Sequence, residues 1–245
     1  MAMKQVNEGF VSRYLNRRLS RPLARLLART PVTPNQVSVA ALAVASLSCI
    51  SFLKGHPLLG GVLAQASSIV DGADGDLARI KGSSSAFGGF LDAVLDRYAD
   101  ALIILGLTGW AAKGSGKAGP LIAGFAALAG TFGFSYTRAR LKAAPESTVD
   151  SRAVLLATRD VRLLLIMMGG VLGKGHGTLV AIALLTNSVV LIRLLSAYKS
   201  RCDGRPGDND EGEPPTQTGS SSPGHEINCR IPVEEPLRSR AGRRE

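Results

Sequence analysis

The stretch DGADGDLARIKGSSSAFGGFLDAVLD at residues 71–96 guides the interpretation of the whole chain, because four of its aspartates recur at helical spacing. On a helix, Asp71 and Asp74 (i, i+3) share one face, and Asp92 and Asp96 (i, i+4) share another. Two adjacent helices can therefore direct four carboxylates at one place. Such charges repel each other strongly in a low-dielectric setting unless cations compensate them. The pattern predicts a metal site.

The predicted site offers only oxygen ligands, because no His or Cys falls within residues 71–96. Mg²⁺ and Mn²⁺ fit an all-oxygen ligand set better than Zn²⁺ does. We expect two Mg²⁺ ions, with Mn²⁺ as the alternative, because a pair of such ions can bind a diphosphate and stabilise charge on a transferring phosphorus.

Apolar residues make up 45% of the chain but aromatic residues only 5%, and the apolar residues fall in long blocks. Such blocks are typical of bilayer-spanning helices. The sequence predicts an all-α, polytopic membrane protein with six transmembrane helices at about residues 34–54, 57–75, 86–111, 118–140, 153–173 and 177–197. We divide the chain into an amphipathic helix (1–30), a six-helix transmembrane domain (31–200) and a disordered cytoplasmic tail (201–245).

The basic residues indicate how the chain meets the membrane. Between Val6 and Ala28, arginines are interspersed with large apolar residues, which is typical of an amphipathic helix lying in an anionic membrane surface. Packing of this helix on a soluble domain is the alternative. Lys and Arg concentrate in the loops on one side, so both termini and the active site are expected in the cytoplasm, with the chain in the cell membrane. We therefore assign the net charge of +10 to membrane lipids as partners and predict no nucleic acid.

The aspartate stretch resembles the signature of the CDP-alcohol phosphotransferase family, D-x2-D-G-x2-A-R-x8-G-x3-D-x3-D. Every fixed position is occupied, by Asp71, Asp74, Gly75, Ala78, Arg79, Gly88, Asp92 and Asp96. The resemblance extends over about residues 8–197 through the six-span pattern. It implies transfer of a substituted phosphate group from a CDP-alcohol donor to a hydroxyl acceptor, with release of CMP.

The resemblance also implies a role for each site residue. The four signature aspartates would ligate the metals, and Asp96 would act as general base on the acceptor hydroxyl. The CDP moiety would be bound by Asn35, Gln36, Val37, Ser38, Gly75, Ala78, Arg79, Ser85 and Gly88. Asp76 and Asp100 lie outside the signature, and we interpret them as ordinary helix-end carboxylates paired with nearby Arg or Lys. No Ser, Cys or His stands in a nucleophilic arrangement, so a single displacement is expected.

Three arginines near the ends of the fourth and fifth predicted spans, Arg138, Arg159 and Arg162, suggest the chemistry of the acceptor. A guanidinium at a buried position is costly without an anionic partner, so a phosphorylated polyol acceptor would explain them. Family members that use inositol phosphate are thought to hold its phosphate with cations at comparable places. The alternative is that these side chains extend to lipid headgroups.

Two blocks, SRYLNR at residues 12–17 and LDRYAD at residues 95–100, resemble the branch that makes di-myo-inositol phosphate phosphate from CDP-inositol and inositol phosphate. That branch can carry a fused cytidylyltransferase. We expect a separate enzyme to supply CDP-inositol here. The alternative within the family is a phospholipid synthase that uses CDP-diacylglycerol, such as a phosphatidylinositol-phosphate synthase.

Two other classes remain open at this stage. A cation transporter also carries intramembrane carboxylates, but here they cluster at one end of two spans. A membrane anchor with a partner-binding tail would need no metal. A homodimer is expected because small residues recur in the fourth span, at Ala123, Gly124, Ala126, Ala127, Ala129 and Gly130.

Overall fold

The computed structural model describes residues 16–115, 118–143 and 157–202, and side chains within 16–113, 118–140 and 157–198. Residue contacts group the chain into Met1–Arg205 and Pro206–Glu245, and every described residue belongs to the first unit. Residues 1–15 of the predicted amphipathic helix, residues 153–156 of the fifth predicted span and residues 203–245 of the predicted tail lie outside the described part.

The described residues form seven helices and no strand, which confirms the all-α prediction for this part of the chain. The helices are α1 Arg17–Ala28, α2 Pro34–Leu53, α3 Pro57–Ile80, α4 Ala86–Ser115, α5 Gly119–Ala143, α6 Arg159–Val171 and α7 Gly175–Cys202. Helix α3 continues past the predicted end at residue 75, so the first half of the aspartate signature is helical throughout.

Local sequence explains where the central helices begin. Thr33 and Gln36 form a reciprocal capping box at the start of α2, in which the Thr33 amide donates to Gln36 Oε1 at 2.9 Å. Pro34 follows at the first helical position, where its missing amide costs nothing. Gly82, with φ of 61°, takes a left-handed conformation between α3 and α4 that a residue with a side chain rarely adopts. This turn brings the two halves of the signature together.

Three of the described helices are long and apolar enough to cross a membrane: Pro34–Leu53, Gly119–Arg140 and Gly175–Tyr198. Helix α3 has sufficient length but carries the aspartates and Arg79 in its second half. Only 13 residues of α6 are described. The remaining three of the six predicted spans therefore stay a prediction.

The main apolar core lies among α2 to α7, with the fully buried side chains of Phe52, Ile103, Leu107, Leu163 and Leu179. Small residues let the helices approach closely. A Cβ added at Gly106 of α4 would lie 2.6 Å from the Cα of Cys49 in α2. At these distances the helix backbones are nearly in contact, which keeps α2 and α4 in a fixed relation.

The glycines of α5 also pack within the chain. A Cβ added at Gly124 would overlap the Thr108 side chain of α4, and one added at Gly130 would overlap Thr186 of α7. Gly124 and Gly130, two of the six small residues from which a dimer contact was expected, thus serve packing between helices of one chain. The homodimer stays a prediction.

Helix α1 packs against α3 through a small apolar cluster. Ala24 is buried with Ala73, Leu77 and Val37, while Leu26 on the opposite face is 64% exposed. Lys81 Nζ donates to the carbonyl oxygens of Thr30 and Val32, each at 2.7 Å, and so holds the segment between α1 and α2. One face of α1 is therefore docked, and its outer face is free to contact a membrane surface.

Candidate active site

Three aspartates from two helices form the centre of the candidate site. Carboxylate oxygens of Asp71 and Asp74 on α3 and of Asp92 on α4 all lie within 4.8 Å of one another. Asp74 is buried and accepts a short hydrogen bond from Ser38 Oγ of α2. The helical spacing inferred from the sequence thus places these three side chains together.

The donor set of this cluster fits the expected cations. It offers three carboxylate oxygens and no sulfur or nitrogen ligand, which is the chemistry that Mg²⁺ and Mn²⁺ prefer. Ser38 orients one carboxylate from behind, as outer-shell donors do in metal centres. The residues present could therefore hold a divalent ion.

Asp96, the fourth signature aspartate, is joined to the cluster through Arg159 at the start of α6. Arg159 Nη1 lies 2.5 Å from Asp71 Oδ2 and 2.6 Å from Asp96 Oδ1. Arg97 also pairs with Asp96, at 3.1 Å. Asp96 therefore pairs with two arginine side chains, whereas Asp74 accepts a hydrogen bond from a serine hydroxyl.

Asp100 has a larger part in the site than the sequence indicated. It is 3% exposed, and its two oxygens pair with Arg159 Nε at 3.2 Å and Arg162 Nη2 at 2.7 Å. Arg162 also donates to the carbonyl oxygen of Ala157 at 2.9 Å. The expected pairing of Asp100 with arginine is present, but Asp100 lies inside α4 and not at a helix end, and it is the shared partner of two arginines. Asp76, in contrast, pairs with the exposed Arg79, as expected for a helix-end carboxylate.

A cavity of about 210 Å³ opens beside Asp74 and Asp92. Seven of the nine residues expected to bind CDP line it: Asn35, Ser38, Gly75, Ala78, Arg79, Ser85 and Gly88. The lining also includes Pro34, Ser83, Ser84 and Gly89, which are not among the nine residues expected to bind CDP. A serine run directly after a glycine turn was the available signal for Ser83 and Ser84.

Gln36 and Val37, the other two expected CDP residues, do not line this cavity. The Gln36 side chain is engaged in the capping box with Thr33 at the start of α2. Val37 is 3% exposed and packs with Ala73 and Leu77 in the cluster beneath α1. Their side chains stabilise the helix that carries Asn35 and Ser38.

A second and larger cavity, of about 840 Å³, opens on the other side of Asp92. Asp96 and all three expected acceptor arginines line it, together with Ala93, Arg97, Phe132, Phe134, Ser135, Tyr136 and Ala139. Arg138 is exposed at its edge. Arg159 Nη2 is buried and has no hydrogen-bond partner among the described residues. The cavity wall thus presents a donor that an anion could satisfy.

A buried arginine beside this cavity, Arg193, was not predicted from the sequence. Arg193 of α7 is 4% exposed and donates to the carbonyl oxygen of Phe134 and to Thr137 Oγ1, both at 2.9 Å. Its guanidinium carbon lies 4.4 Å from the centre of the Phe134 ring, a cation–π distance. The guanidinium carbon of Arg162 also lies near this ring, 5.9 Å from its centre, so the Phe134 ring contacts both arginines.

A family model described as CDP-alcohol phosphatidyltransferase matches residues 31–197 of the chain. This match includes α2 to α6, most of α7 and both halves of the signature. The chain belongs to this family. The resemblance inferred from the aspartate signature is thereby confirmed, and the segment that matches the CDP-alcohol phosphatidyltransferase model includes all residues that line the two cavities.

Relatives of two kinds share sequence with this family member. The "Bifunctional IPC transferase and DIPP synthase" of Rubrobacter xylanophilus is 47% identical over 80% of this chain, and its Aquifex aeolicus counterpart is 34% identical over 82%. The chain spans only 44% and 46% of the length of these two relatives. The "Phosphatidylinositol phosphate synthase" of Mycobacteroides abscessus is 31% identical over 69% of this chain and 76% of its own length.

Solved structures share the fold. The phosphatidylinositol phosphate synthase of Mycobacterium tuberculosis with CDP-DAG bound has a TM-score of 0.62 at 24% identity, covering 80% of this chain and 99% of that one. The same enzyme in complex with manganese and citrate has a TM-score of 0.59 at 22% identity, covering 79% and 93%. The cation-transporter alternative gains no support from these comparisons.

Proposed function

We propose that the chain transfers a substituted phosphate group from a CDP-alcohol to a hydroxyl acceptor and releases CMP. One observation carries this proposal: two cavities with different linings share Asp92 as a lining residue. One cavity is lined by the glycines and serines expected around a nucleotide, and the other by arginines expected around a phosphorylated acceptor. A donor and an acceptor bound in these cavities would bring their reacting groups to the aspartates.

On the donor side, Asn35, Arg79 and the serines of residues 83–85 offer hydrogen-bond donors to CDP. Gly75 and Gly89 leave room, since a Cβ added at either would meet nothing within 4 Å. Exposed Arg79 is suited to a phosphate oxygen at the mouth of the cavity. Asp71, Asp74 and Asp92 would hold divalent metal, which would supply charge stabilisation at the diphosphate.

On the acceptor side, Asp96 faces the larger cavity and would take the proton of the attacking hydroxyl. The new bond forms between this oxygen and the β-phosphorus, and the bond from that phosphorus to the bridging oxygen breaks as CMP leaves. Arg159 and Arg162, held by Asp100, would bind the acceptor phosphate with their remaining donors. Arg138 would complete this phosphate site from the edge.

CDP-inositol and inositol phosphate, giving di-myo-inositol phosphate phosphate, form the substrate pair that we favour. Its support is the 47% identity to the Rubrobacter xylanophilus relative, whose name includes DIPP synthase. A phospholipid synthase using CDP-diacylglycerol is the second candidate. It is favoured by the relative from Mycobacteroides abscessus, of which the chain covers 76%, a larger share than it covers of the bifunctional relative.

We place the protein in the cell membrane with six spans, both termini and the active site facing the cytoplasm, and two Mg²⁺ ions at the aspartates. The outer face of α1, with Leu19 and Leu26 exposed, supports its placement at the membrane surface. We also propose that domain boundaries lie at residues 30 and 200. A homodimer is part of the same proposal.

A donor and acceptor panel tests the proposal. Purified full-length protein with Mg²⁺ is supplied with CDP-inositol, CDP-diacylglycerol or CDP-glycerol against inositol, inositol phosphate or glycerol phosphate, and CMP is measured. We expect release with CDP-inositol only when inositol phosphate is present. If CDP-diacylglycerol were the only one of the three donors that gave CMP, the protein would be a phospholipid synthase. Absence of CMP release with every pair would contradict the reaction class.

A further inference from the structure

A buried cluster of polar side chains joins α1, α3 and α6 outside both cavities. Asn16, the residue before α1, donates from Nδ2 to Asp160 Oδ1 at 2.5 Å and to Ser68 Oγ at 2.9 Å. Ser68 Oγ in turn donates to Asp160 Oδ1 at 2.9 Å. Gln65 Nε2 donates to Asn16 Oδ1 at 2.7 Å. Both ends of the Asn16 amide are therefore engaged.

Burial of these groups makes their geometry specific. Asn16, Gln65 and Ser68 are 3%, 5% and 3% exposed. Buried polar groups are costly unless each finds its partner, and when satisfied they select one arrangement of the helices around them. The Asn16 amide and the Ser68 hydroxyl have their partners, whereas Gln65 Oε1 has none among the described residues. Apolar packing of the kind seen beneath Ala24 would dock α1 on α3 without this cost. The cluster therefore fixes the relative position of α1, α3 and α6 more precisely than docking of α1 on α3 alone requires.

The position that it fixes is the first turn of α6. Two residues of this turn, Arg159 and Asp160, make side-chain contacts with other helices. Asp160 contacts Asn16 and Ser68 on the side of α1 and α3. Its neighbour Arg159 contacts Asp71 of α3 and Asp96 and Asp100 of α4. Adjacent residues are thus each held by contacts with other helices, and a shift of Asp160 would displace Arg159.

We propose that Asn16 is a positioning residue for the acceptor site: through Asp160 it sets Arg159, so that docking of α1 is coupled to acceptor binding. This inference rests on the proposed function, because it takes Arg159 to bind the acceptor phosphate. Asn16 contacts neither cavity, and its effect passes through the hydrogen bond to Asp160. Donor binding, in the cavity between α2, α3 and α4, should be independent of it.

The test is an isosteric change with a reciprocal rescue. Asn16→Asp replaces the donating Nδ2 with an oxygen that faces the Asp160 carboxylate, and adding Asp160→Asn restores one donor and one acceptor with unchanged total charge. We expect Asn16→Asp to raise the KM for inositol phosphate by about tenfold or more, with the KM for CDP-inositol within about twofold of the unchanged protein. The double variant should recover most of the acceptor KM.

A matched structural control is Ser48→Ala. Ser48 is fully buried and donates to the Gly60 carbonyl oxygen at 2.7 Å between α2 and α3, away from both cavities. This variant should lower thermal stability without separating the two KM values. An Asn16→Asp variant that lowers stability and leaves both KM values unchanged, or raises them equally, would overturn the proposal. A double variant no better than the single one would do the same.

Direct binding separates this inference from the proposed function. Inositol phosphate is titrated calorimetrically into the full-length protein with Mg²⁺ and no donor. Weaker binding by Asn16→Asp, restored in the double variant, supports the inference even if no CDP-alcohol releases CMP, in which case only the proposed function fails. Equal affinity of all three proteins, or no binding to any, would overturn the inference.

Discussion

Arg162 Nη2 lies 2.7 Å from Asp100 Oδ2, and both side chains are almost fully buried. The second oxygen of Asp100 pairs with Arg159, which itself contacts two signature aspartates. One carboxylate therefore orients two guanidinium groups at the wall of the larger cavity. Burial of ions is costly, so such a pair is retained where its geometry is needed.

Removing Asp100 should leave two buried guanidinium groups without their shared partner. We expect Asp100→Ala to lower the free energy of unfolding by about 3–5 kcal/mol. The comparison variant Asp76→Ala breaks a pair whose Arg79 side chain is 65% exposed. It should cost about 0–1 kcal/mol. Denaturant unfolding in a mild detergent measures both, and equal losses would contradict the role of Asp100.

Ser38 should tune metal affinity, because its hydroxyl donates to Asp74. Loss of such an outer-shell donor typically weakens metal binding by about 10–100-fold, and we expect Ser38→Ala to raise the Mg²⁺ concentration for half-maximal CMP release accordingly. Ser46→Ala is the control on the same helix, since Ser46 donates to the Leu42 carbonyl oxygen. Mn²⁺ binding followed by electron paramagnetic resonance provides a second readout. Unchanged affinity in Ser38→Ala would contradict the role of Ser38 as an outer-shell donor to the metal site.

Gly88 should limit the space for the donor. A Cβ at this position would lie 3.1 Å from Ser85 Oγ and 3.3 Å from Asn35 Oδ1, whereas one at Gly89 would meet nothing within 4 Å. Both neighbours are side chains that can shift, so Gly88→Ala should weaken donor binding by about 1 kcal/mol, roughly fivefold in donor KM. Gly89→Ala should have the smaller effect. A larger increase in donor KM for Gly89→Ala than for Gly88→Ala would indicate that the donor binds elsewhere.

Asp96 should be required for the chemical step and not for donor binding. It faces the acceptor cavity, and the smaller cavity is lined without it. We expect Asp96→Asn to reduce turnover by at least about 100-fold, since a positioned base contributes about that much or more. CDP binding, measured by calorimetry, should remain. Near-normal turnover would remove Asp96 from its role as base.

Helical spacing made the metal cluster predictable. Asp71 and Asp74 share a face at i, i+3 on any helix, and the second signature half lies on the next helix, so local sequence determines their meeting. The cavity lining at Gly75, Ala78 and Gly88 was predicted in another way, from the resemblance of these positions to the family signature. The glycine turn at Gly82 then brings the two helices side by side.

Tertiary contacts account for what the sequence did not reveal. Asp100 meets Arg159 and Arg162 across separations of 59 and 62 residues, which no local pattern encodes. The same holds for the contact of Asn16 with Asp160, 144 residues apart. Gln36 shows a different limit: a polar residue at a helix start can serve capping or a ligand, and the structure shows capping here.

Metal-dependent release of CMP tests the central claim most directly. Full-length protein is incubated with CDP-inositol and inositol phosphate, with Mg²⁺ or with excess chelator, and Asp92→Asn is measured in parallel because Asp92 borders both cavities. We predict CMP release that requires Mg²⁺ and inositol phosphate together and is lost in Asp92→Asn. Release that continues in chelator, or in Asp92→Asn at the unchanged rate, would contradict a reaction centred on these aspartates.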